Sequence, residues 1–185
     1  MNEKDTKRIS KFLSLVLRHK PQTIQLNLDE QGWADVDELL EKWAKHRKAI
    51  TLDQLQYVVT HNDKQRFTFN DDQTKIRANQ GHSIDIQLNL EIQTPPDTLY
   101  HGTATRFLDS IFEKGLIKGS RQHVHLSADI ETATKVGKRH GKLAILIVQS
   151  GKMHEVGFEF YLSKNKVWLT DHVPSKYVTR ASSSQ

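Results

Sequence analysis

Residues 5–21 read DTKRISKFLSLVLRHKP, and within them Ile9, Phe12, Leu13, Val16 and Leu17 recur at spacings of three and four. That period gives a helix one apolar face and turns it toward a core. Pro21 disfavours helical geometry at the residue before it, so the helix is expected to end near His19, with Arg18 and His19 in its last turn. The helix dipole tolerates cations there. Working outward, residues 35–44 predict a second helix with Val36, Leu39, Leu40 and Trp43 inward. Residues 51–61 predict a third, capped by Thr51 and carrying Leu52, Leu55, Val58 and Val59 inward. Residues 66–69 and 75–78 flank the turn-forming Asn70, Asp71 and Asp72, the pattern of a short β-hairpin. Three helices followed by a hairpin is the order of a winged-helix domain. Such a domain serves either as a nucleic-acid binder or as a docking platform.

Residues 83–97 resemble a crossing segment, in which Ile84, Ile86, Leu88 and Leu90 alternate before the Pro95-Pro96 break. The expected domains are therefore residues 1–92 and 93–185. The second should carry apolar strands at 99–101, 124–126, 143–148 and 167–169, with helices near 106–114 and 129–140. That is a mixed α+β half, and the chain as a whole is expected to be of the α+β class. No internal repeat or low-complexity tract interrupts it, and only residues 181–185 read as a tail.

A chain of 185 residues with 36% hydrophobic content suffices for one medium core or two small ones, and two is the expectation. No run approaches the roughly 18 to 20 apolar residues of a membrane span, and MNEKDTKRIS is polar where a signal peptide would be apolar. A soluble, cytoplasmic protein without membrane partners is expected. The absence of cysteine excludes disulfides, thiolate catalysis and Cys-type zinc sites. Residues 1–92 hold 14 Lys and Arg against 14 Asp and Glu, whereas residues 93–185 hold 13 against 8, so the net charge of +5 lies in the second half. A basic half attracts polyanions, but a surplus of this size also serves solubility alone. With no heptad seam or long apolar stretch, a monomer is the default expectation.

Four cationic residues, Arg18, His19, Arg66 and Arg121, fall where a helix or strand ends and are not needed for a core. Singly, each reads equally as a solvated charge or a structural histidine. Together they offer the planar forks with which arginine grips phosphate oxygens two at a time. In Leu99-Tyr100-His101-Gly102-Thr103 a strand runs into a histidine, a glycine and a hydroxyl. As a ligand edge, His101 would hydrogen-bond a ribose hydroxyl, Gly102 would admit close approach and Thr103 would add a hydroxyl. The competing reading is an ordinary strand-to-turn junction. In His123-Val124-His125-Leu126-Ser127, alternation puts His123 and His125 on one face and Val124 and Leu126 on the other. Two such histidines also suit a metal, yet no carboxylate follows before Asp129, and no metal is expected. Lys135, Lys138, Arg139 and Lys142 suit either RNA or a pyrophosphate, or else form a solvated helix face.

The runs LSLVLRHKP, DKQRF, QGHS, LYHGT, HVHLSAD, KVGKRHG and VWLT, in this order and at these separations, closely resemble the KptA-type RNA 2′-phosphotransferase family. The resemblance spans about Ser10 to Val173. It implies an N-terminal winged-helix lobe that binds RNA, a C-terminal lobe of the ADP-ribosyltransferase type, and an active site in the cleft between them. Carried over by position, the family's essential Arg-His pair falls on Arg18 and His19, its second arginine on Arg66 and its third on Arg121. The NAD-binding signature falls on His101, Gly102 and Thr103, then on His125 and Ser127, and finally on Val167. Many ADP-ribosyltransferases carry a glutamate at that last position, with which they activate a protein-directed nucleophile. Val167 in its place fits a substrate that brings its own anion. Gln80, Gly81 and His82 match a motif to which only a supporting role is assigned.

The activity so implied removes an internal 2′-phosphate from RNA, as at a splice junction of transfer RNA. NAD⁺ is the co-substrate, and nicotinamide and ADP-ribose 1″,2″-cyclic phosphate are released through an ADP-ribosylated RNA phosphate. Arg18, Arg66 and Arg121 are the expected phosphate clamps and His19 the expected acid. Two other readings stay open: an ADP-ribosyltransferase that stops at the capped phosphate, and a winged-helix regulatory protein whose second lobe senses NAD⁺.

Overall fold

The structure, a computed structural model, describes residues 1–62 and 64–181. Asp63 of the DKQRF run and residues 182–185 of the expected tail lie outside the described residues. The fold is mixed, with six α-helices and four small antiparallel sheets among the described residues. It divides into two compact units, Met1–Asn89 and Leu90–Gln185.

In the first unit, α1 (Glu3–Arg18) starts at Asn2, whose side chain accepts from the Asp5 amide at 2.8 Å, and buries Ile9, Phe12, Leu13, Val16 and Leu17. Full burial of each large aliphatic contributes about 1.5 to 3 kcal/mol, and these residues form the centre of the unit's core with Leu39, Trp43 and Leu55. A 3₁₀ turn, Pro21–Ile24, follows directly, with the proline at its start where its missing N–H costs nothing. The two-residue strand β1 (Ala34–Asp35) leads into α2 (Val36–His46), which is capped by Asp35, and α3 (Leu52–Thr60) opens on a capping box between Thr51 and Gln54. Leu52 departs from the expected inward set: it stands at the first helical position and is exposed, while Leu55 and Val58 are fully buried. The hairpin of β2 (Phe67–Phe69) and β3 (Lys75–Ala78) is joined by β1, in the order β1-β3-β2. Residues 83–89 form no strand; Ile86 and Leu88 are buried and the Gln87 amide donates to Glu30.

The second unit takes up the chain at Leu90, where Ile92 bridges to Tyr161. Its first strand, β4 (Leu99–Ala104), is followed by α4 (Leu108–Lys114), β5 (Leu116–Ile117), β6 (Val124–Leu126), α5 (Ile130–Gly137), β7 (Leu143–Val148) and α6 (Ser150–Glu155). The short strands β8 (Tyr161–Leu162), β9 (Trp168–Thr170), β10 (His172–Val173) and β11 (Val178–Arg180) complete it. One sheet has the order β11-β7-β4 and another β6-β9-β8, while β10 pairs with β5. The Tyr100 and Ser127 amides exchange hydrogen bonds with each other's carbonyls at 2.8 Å, which brings the end of β6 against β4. Helix α5 lies so close on β4 that a Cβ on Gly102 would stand 1.7 Å from the Ala133 carbonyl oxygen. Gly137 is its counterpart on the helix, where a Cβ would stand 3.0 Å from the Gly102 carbonyl carbon. No helix among the described residues is long and apolar enough to cross a membrane.

Candidate functional site

Arg18 closes α1 and His19 caps it, and both are gripped by a segment 64 residues further on. The Ser83 amide donates to the Arg18 carbonyl at 2.9 Å, and the Ser83 hydroxyl lies 2.9 Å from His19 Nδ1. The Arg18 guanidinium reaches across to donate from Nη2 to the Arg66 carbonyl at 3.2 Å, and it sits 5.7 Å from the centre of the Phe67 ring. Arg66 itself is half-buried, and burial pushes its pKa down from the ordinary arginine value. Its Nη1 donates to Asn62 Oδ1 at 3.2 Å, while Asn62 Nδ2 donates to Ser10 Oγ on α1 at 3.1 Å. Among the described residues no carboxylate forms an ion pair with Arg66 or Arg121, so their charge is not neutralised internally.

Two further groups belong to this cluster and were not singled out as cations or held only a supporting place. His82 is 1% exposed, and neither ring nitrogen has a hydrogen-bond partner. Burial, with repulsion from Arg18, His19 and Arg77, pushes its pKa down to about 3, so it is a neutral ring at physiological pH. Arg77, on β3, stacks its guanidinium 4.4 Å from the centre of the Trp33 ring. Burial lowers its pKa, against the attraction of Asp29. A phosphate dianion entering among these cations would find desolvated donors already fixed by backbone carbonyls and aromatic faces.

In the second unit the residues sit on adjoining strands. His101 Nδ1 lies 3.0 Å from the His125 carbonyl and so carries the ring proton, which leaves Nε2 as an acceptor in the neutral ring. Burial lowers the His101 pKa, opposed by that hydrogen bond. Arg121 Nη1 lies 3.3 Å from His125 Nδ1. Val124 and Leu126 are buried in the core, so His123 and His125 take the opposite face of β6. His123 meets the Tyr161 ring edge-on at 5.7 Å, and Thr103 is buried. The side of Gly102 where a Cβ would stand is filled by α5, so this glycine is required by helix packing whatever its backbone does for a ligand. Val167 directly precedes β9, the strand that pairs with β6, and its amide donates to Ser163 Oγ at 3.0 Å. Lys135 pairs with Glu131, and Lys138, Arg139 and Lys142 are exposed, as on a solvated helix face. Among the described residues no three His, Asp or Glu side chains converge as ligands for a metal.

A model of the family described as RNA 2′-phosphotransferase, Tpt1/KptA, matches residues 4–172. The chain belongs to that family. Relatives include the probable RNA 2′-phosphotransferase of Flavobacterium johnsoniae, 60% identical over 96% of this chain and 98% of that protein. The protein of the same name from Hahella chejuensis is 54% identical, over 96% and 95%. That of Fusobacterium nucleatum is 54% identical, over 92% and 96%. Arg18, His19 and Arg66 are not scattered surface charges but parts of one hydrogen-bonded assembly. Sequence reasoning missed Ser83 and Arg77. The signal for Ser83 was its place at the end of the QGHS run; for Arg77 there was none, since an arginine on a hairpin strand is ordinarily solvated.

Proposed function

We propose that this chain removes a 2′-phosphate from RNA by transferring it to NAD⁺, with the first unit acting as a winged-helix phosphate-recognition lobe and the second as an ADP-ribosyltransferase-like lobe. The observation that carries the proposal is the Arg18-His19-Arg66 assembly, locked by Ser83 and the Arg66 carbonyl and not neutralised by a carboxylate at Arg66. The names borne by relatives of more than 50% identity support the same substrate.

The RNA 2′-phosphate is the nucleophile, and it needs no general base. Its second pKa is near about 6, so it is largely a dianion at neutral pH. One of its oxygens bonds to the anomeric carbon of the nicotinamide ribose as the bond to nicotinamide breaks and the electron pair departs with the ring. Arg18 and Arg66 hold the dianion in line, which is a task of positioning and electrostatics. NAD⁺ enters as a consumed co-substrate. The neutral His101, with Nε2 as acceptor, suits a ribose hydroxyl, and Thr103, His125 and Ser127 complete that side.

In the second step the adjacent ribose hydroxyl attacks phosphorus, its proton passing to solvent, and the bond to the RNA 2′-oxygen breaks. That oxygen must gain a proton. His19 supplies it, since an imidazole titrates nearer neutrality than other side chains, and Ser83 at Nδ1 sets the ring's orientation. The arginines meet the charge on phosphorus oxygens, so the scheme calls for no metal.

The test is a short RNA with one internal 2′-phosphate, incubated with and without NAD⁺ and resolved by mass. NAD⁺-dependent loss of the phosphate with release of nicotinamide and ADP-ribose cyclic phosphate is expected, undiminished in excess chelator. A persistent ADP-ribosylated RNA would replace this reading by a capping activity, and no change would leave a binding protein. His19→Ala should accumulate the ADP-ribosylated RNA; unaltered rates of both steps would remove His19 from the scheme.

A further inference from the structure

The first unit contains a groove of about 760 Å³, of whose lining the chemistry above uses only Arg66. One wall is the face of α1 bearing Lys7, Ser10, Lys11 and Ser14, and the other carries Tyr57, His61, Lys64 and Arg66. Positions 7, 10, 11, 14 and 18 share one side of a helix, so the wall runs along α1 toward Arg18, one turn beyond Ser14. The groove adjoins the phosphate assembly: Arg66 is one of its lining residues, and the Arg66 carbonyl receives Arg18. From Glu3 to Ser14 the lining residues of α1 span about 16 Å at 1.5 Å per helical residue. That accommodates several phosphates at the ~3.4 Å axial spacing of a stacked strand.

Its chemistry is selective. Among the described lining residues four are cationic side chains, Lys7, Lys11, Lys64 and Arg66, against one carboxylate, Glu3, which pairs with Lys7 at the far end. Between them the rings of Tyr57 and His61 stack nearly parallel, with centres 4.0 Å apart and planes 8° from each other. Tyr57 is half-buried behind an exposed His61, which leaves a flat aromatic surface facing outward. Cations flanking a stacked ring pair are what single-stranded nucleic acid requires: neutralisation for its backbone and a platform for a base. An acidic peptide would use the cations but not the platform.

We propose that this groove binds the single-stranded RNA flanking the 2′-phosphate, with Lys7 and Lys11 on its phosphodiesters and a base stacked on His61. The proposal rests on the reading of the chain as an RNA 2′-phosphotransferase and adds a substrate site outside the reacting centre. The experiment measures binding of a labelled 12-nucleotide single strand lacking the 2′-phosphate, without NAD⁺, at several salt concentrations. The wild type is compared with Lys7→Ala/Lys11→Ala and with His61→Ala, all at exposed positions. The double variant should bind at least tenfold more weakly at low salt. Its salt slope should fall by about 1.4, since each contact to a single-strand phosphate contributes about 0.7. His61→Ala should lose about tenfold with the slope unchanged.

Turnover is then read on a 12-nucleotide and a dinucleotide substrate, each with an internal 2′-phosphate; the variants should raise KM more on the longer one. If wild-type protein removes the phosphate while both variants bind RNA with its affinity and slope, the groove proposal is overturned and the activity stands. Equal capture of a polyglutamate peptide also overturns it. If the variants lose RNA but the wild type never removes the phosphate, the groove stands and the activity reading falls.

Discussion

His82 and His101 lie in different units, and burial drives both toward the neutral ring, but only one is hydrogen-bonded. His101 has its Nδ1 against the His125 carbonyl, whereas neither nitrogen of His82 has a partner. The difference reflects how the two clusters are built. In the second unit the candidate side chains of His101, Thr103 and His125 stand on β4 and β6, where backbone pairing sets their spacing. In the first they come from a helix end, a pre-strand turn and a loop, drawn together around like charges. The strand-borne cluster is rigid and intolerant of added volume. The cluster of the first unit is electrostatically loaded, since Arg18, His19 and Arg77 all act on the buried His82.

The largest effect should come from breaking the rigid side. Gly102→Val places side-chain atoms where the Ala133 carbonyl already stands 1.7 Å from a Cβ, and backbone cannot retreat from both partners at once. A loss of at least about 3 kcal/mol is expected, at the upper end of overpacking costs. Chemical denaturation checks it; a loss under about 1 kcal/mol would mean that α5 can slide on β4. Next comes Arg18→Ala, which removes the fork together with its contact to Phe67 at the edge of the core. Turnover should fall about 100-fold or more, as loss of a charge-assisted donor to the transition state predicts, with little change in unfolding. Normal turnover would detach Arg18 from the site.

A smaller effect separates the two histidines directly. His82→Phe replaces an unsatisfied buried ring by an apolar one and should stabilise the protein by about 1 kcal/mol at neutral pH, because the desolvation penalty disappears. The pH dependence has a definite sign. A histidine near 6.5 when unfolded and about 3 when folded binds more protons in the unfolded state between those values, so wild-type stability falls as pH drops from 6.5 toward 3. His82→Phe should flatten that decline, read as unfolding free energy at pH 7.5 and pH 5. If the variant is instead less stable at both, the ring is satisfied in solution. The smallest effect should be Ser83→Ala. Removing the hydroxyl at His19 Nδ1 should lower turnover less than about tenfold, in the range of one neutral hydrogen bond, and shift its pH profile. Loss of binding with an unshifted profile would assign Ser83 to RNA contact.

The amino-acid sequence by itself determined the three helices of the first unit and the longer strands of the second. Periodic leucines, the Thr51 cap and the alternation at 124–126 are local signals, readable without knowing the partner. It also supplied Arg18, His19 and Arg66 as candidates, through the resemblance of the ordered motifs. Strands of two residues such as β1, β5 and β10 were not legible, because two residues carry no period and exist only through their pairing. Gly102 stood in the sequence as a candidate ligand glycine, and only the tertiary structure shows that α5 packing also requires it. Tertiary structure alone decided that Ser83 holds the Arg18-His19 corner, that His82 is buried without a partner, and that Lys7, Lys11, Tyr57 and His61 line one groove. These are relations between residues up to 64 positions apart, set by how helix, hairpin and loop close on a common core, and no local pattern encodes them.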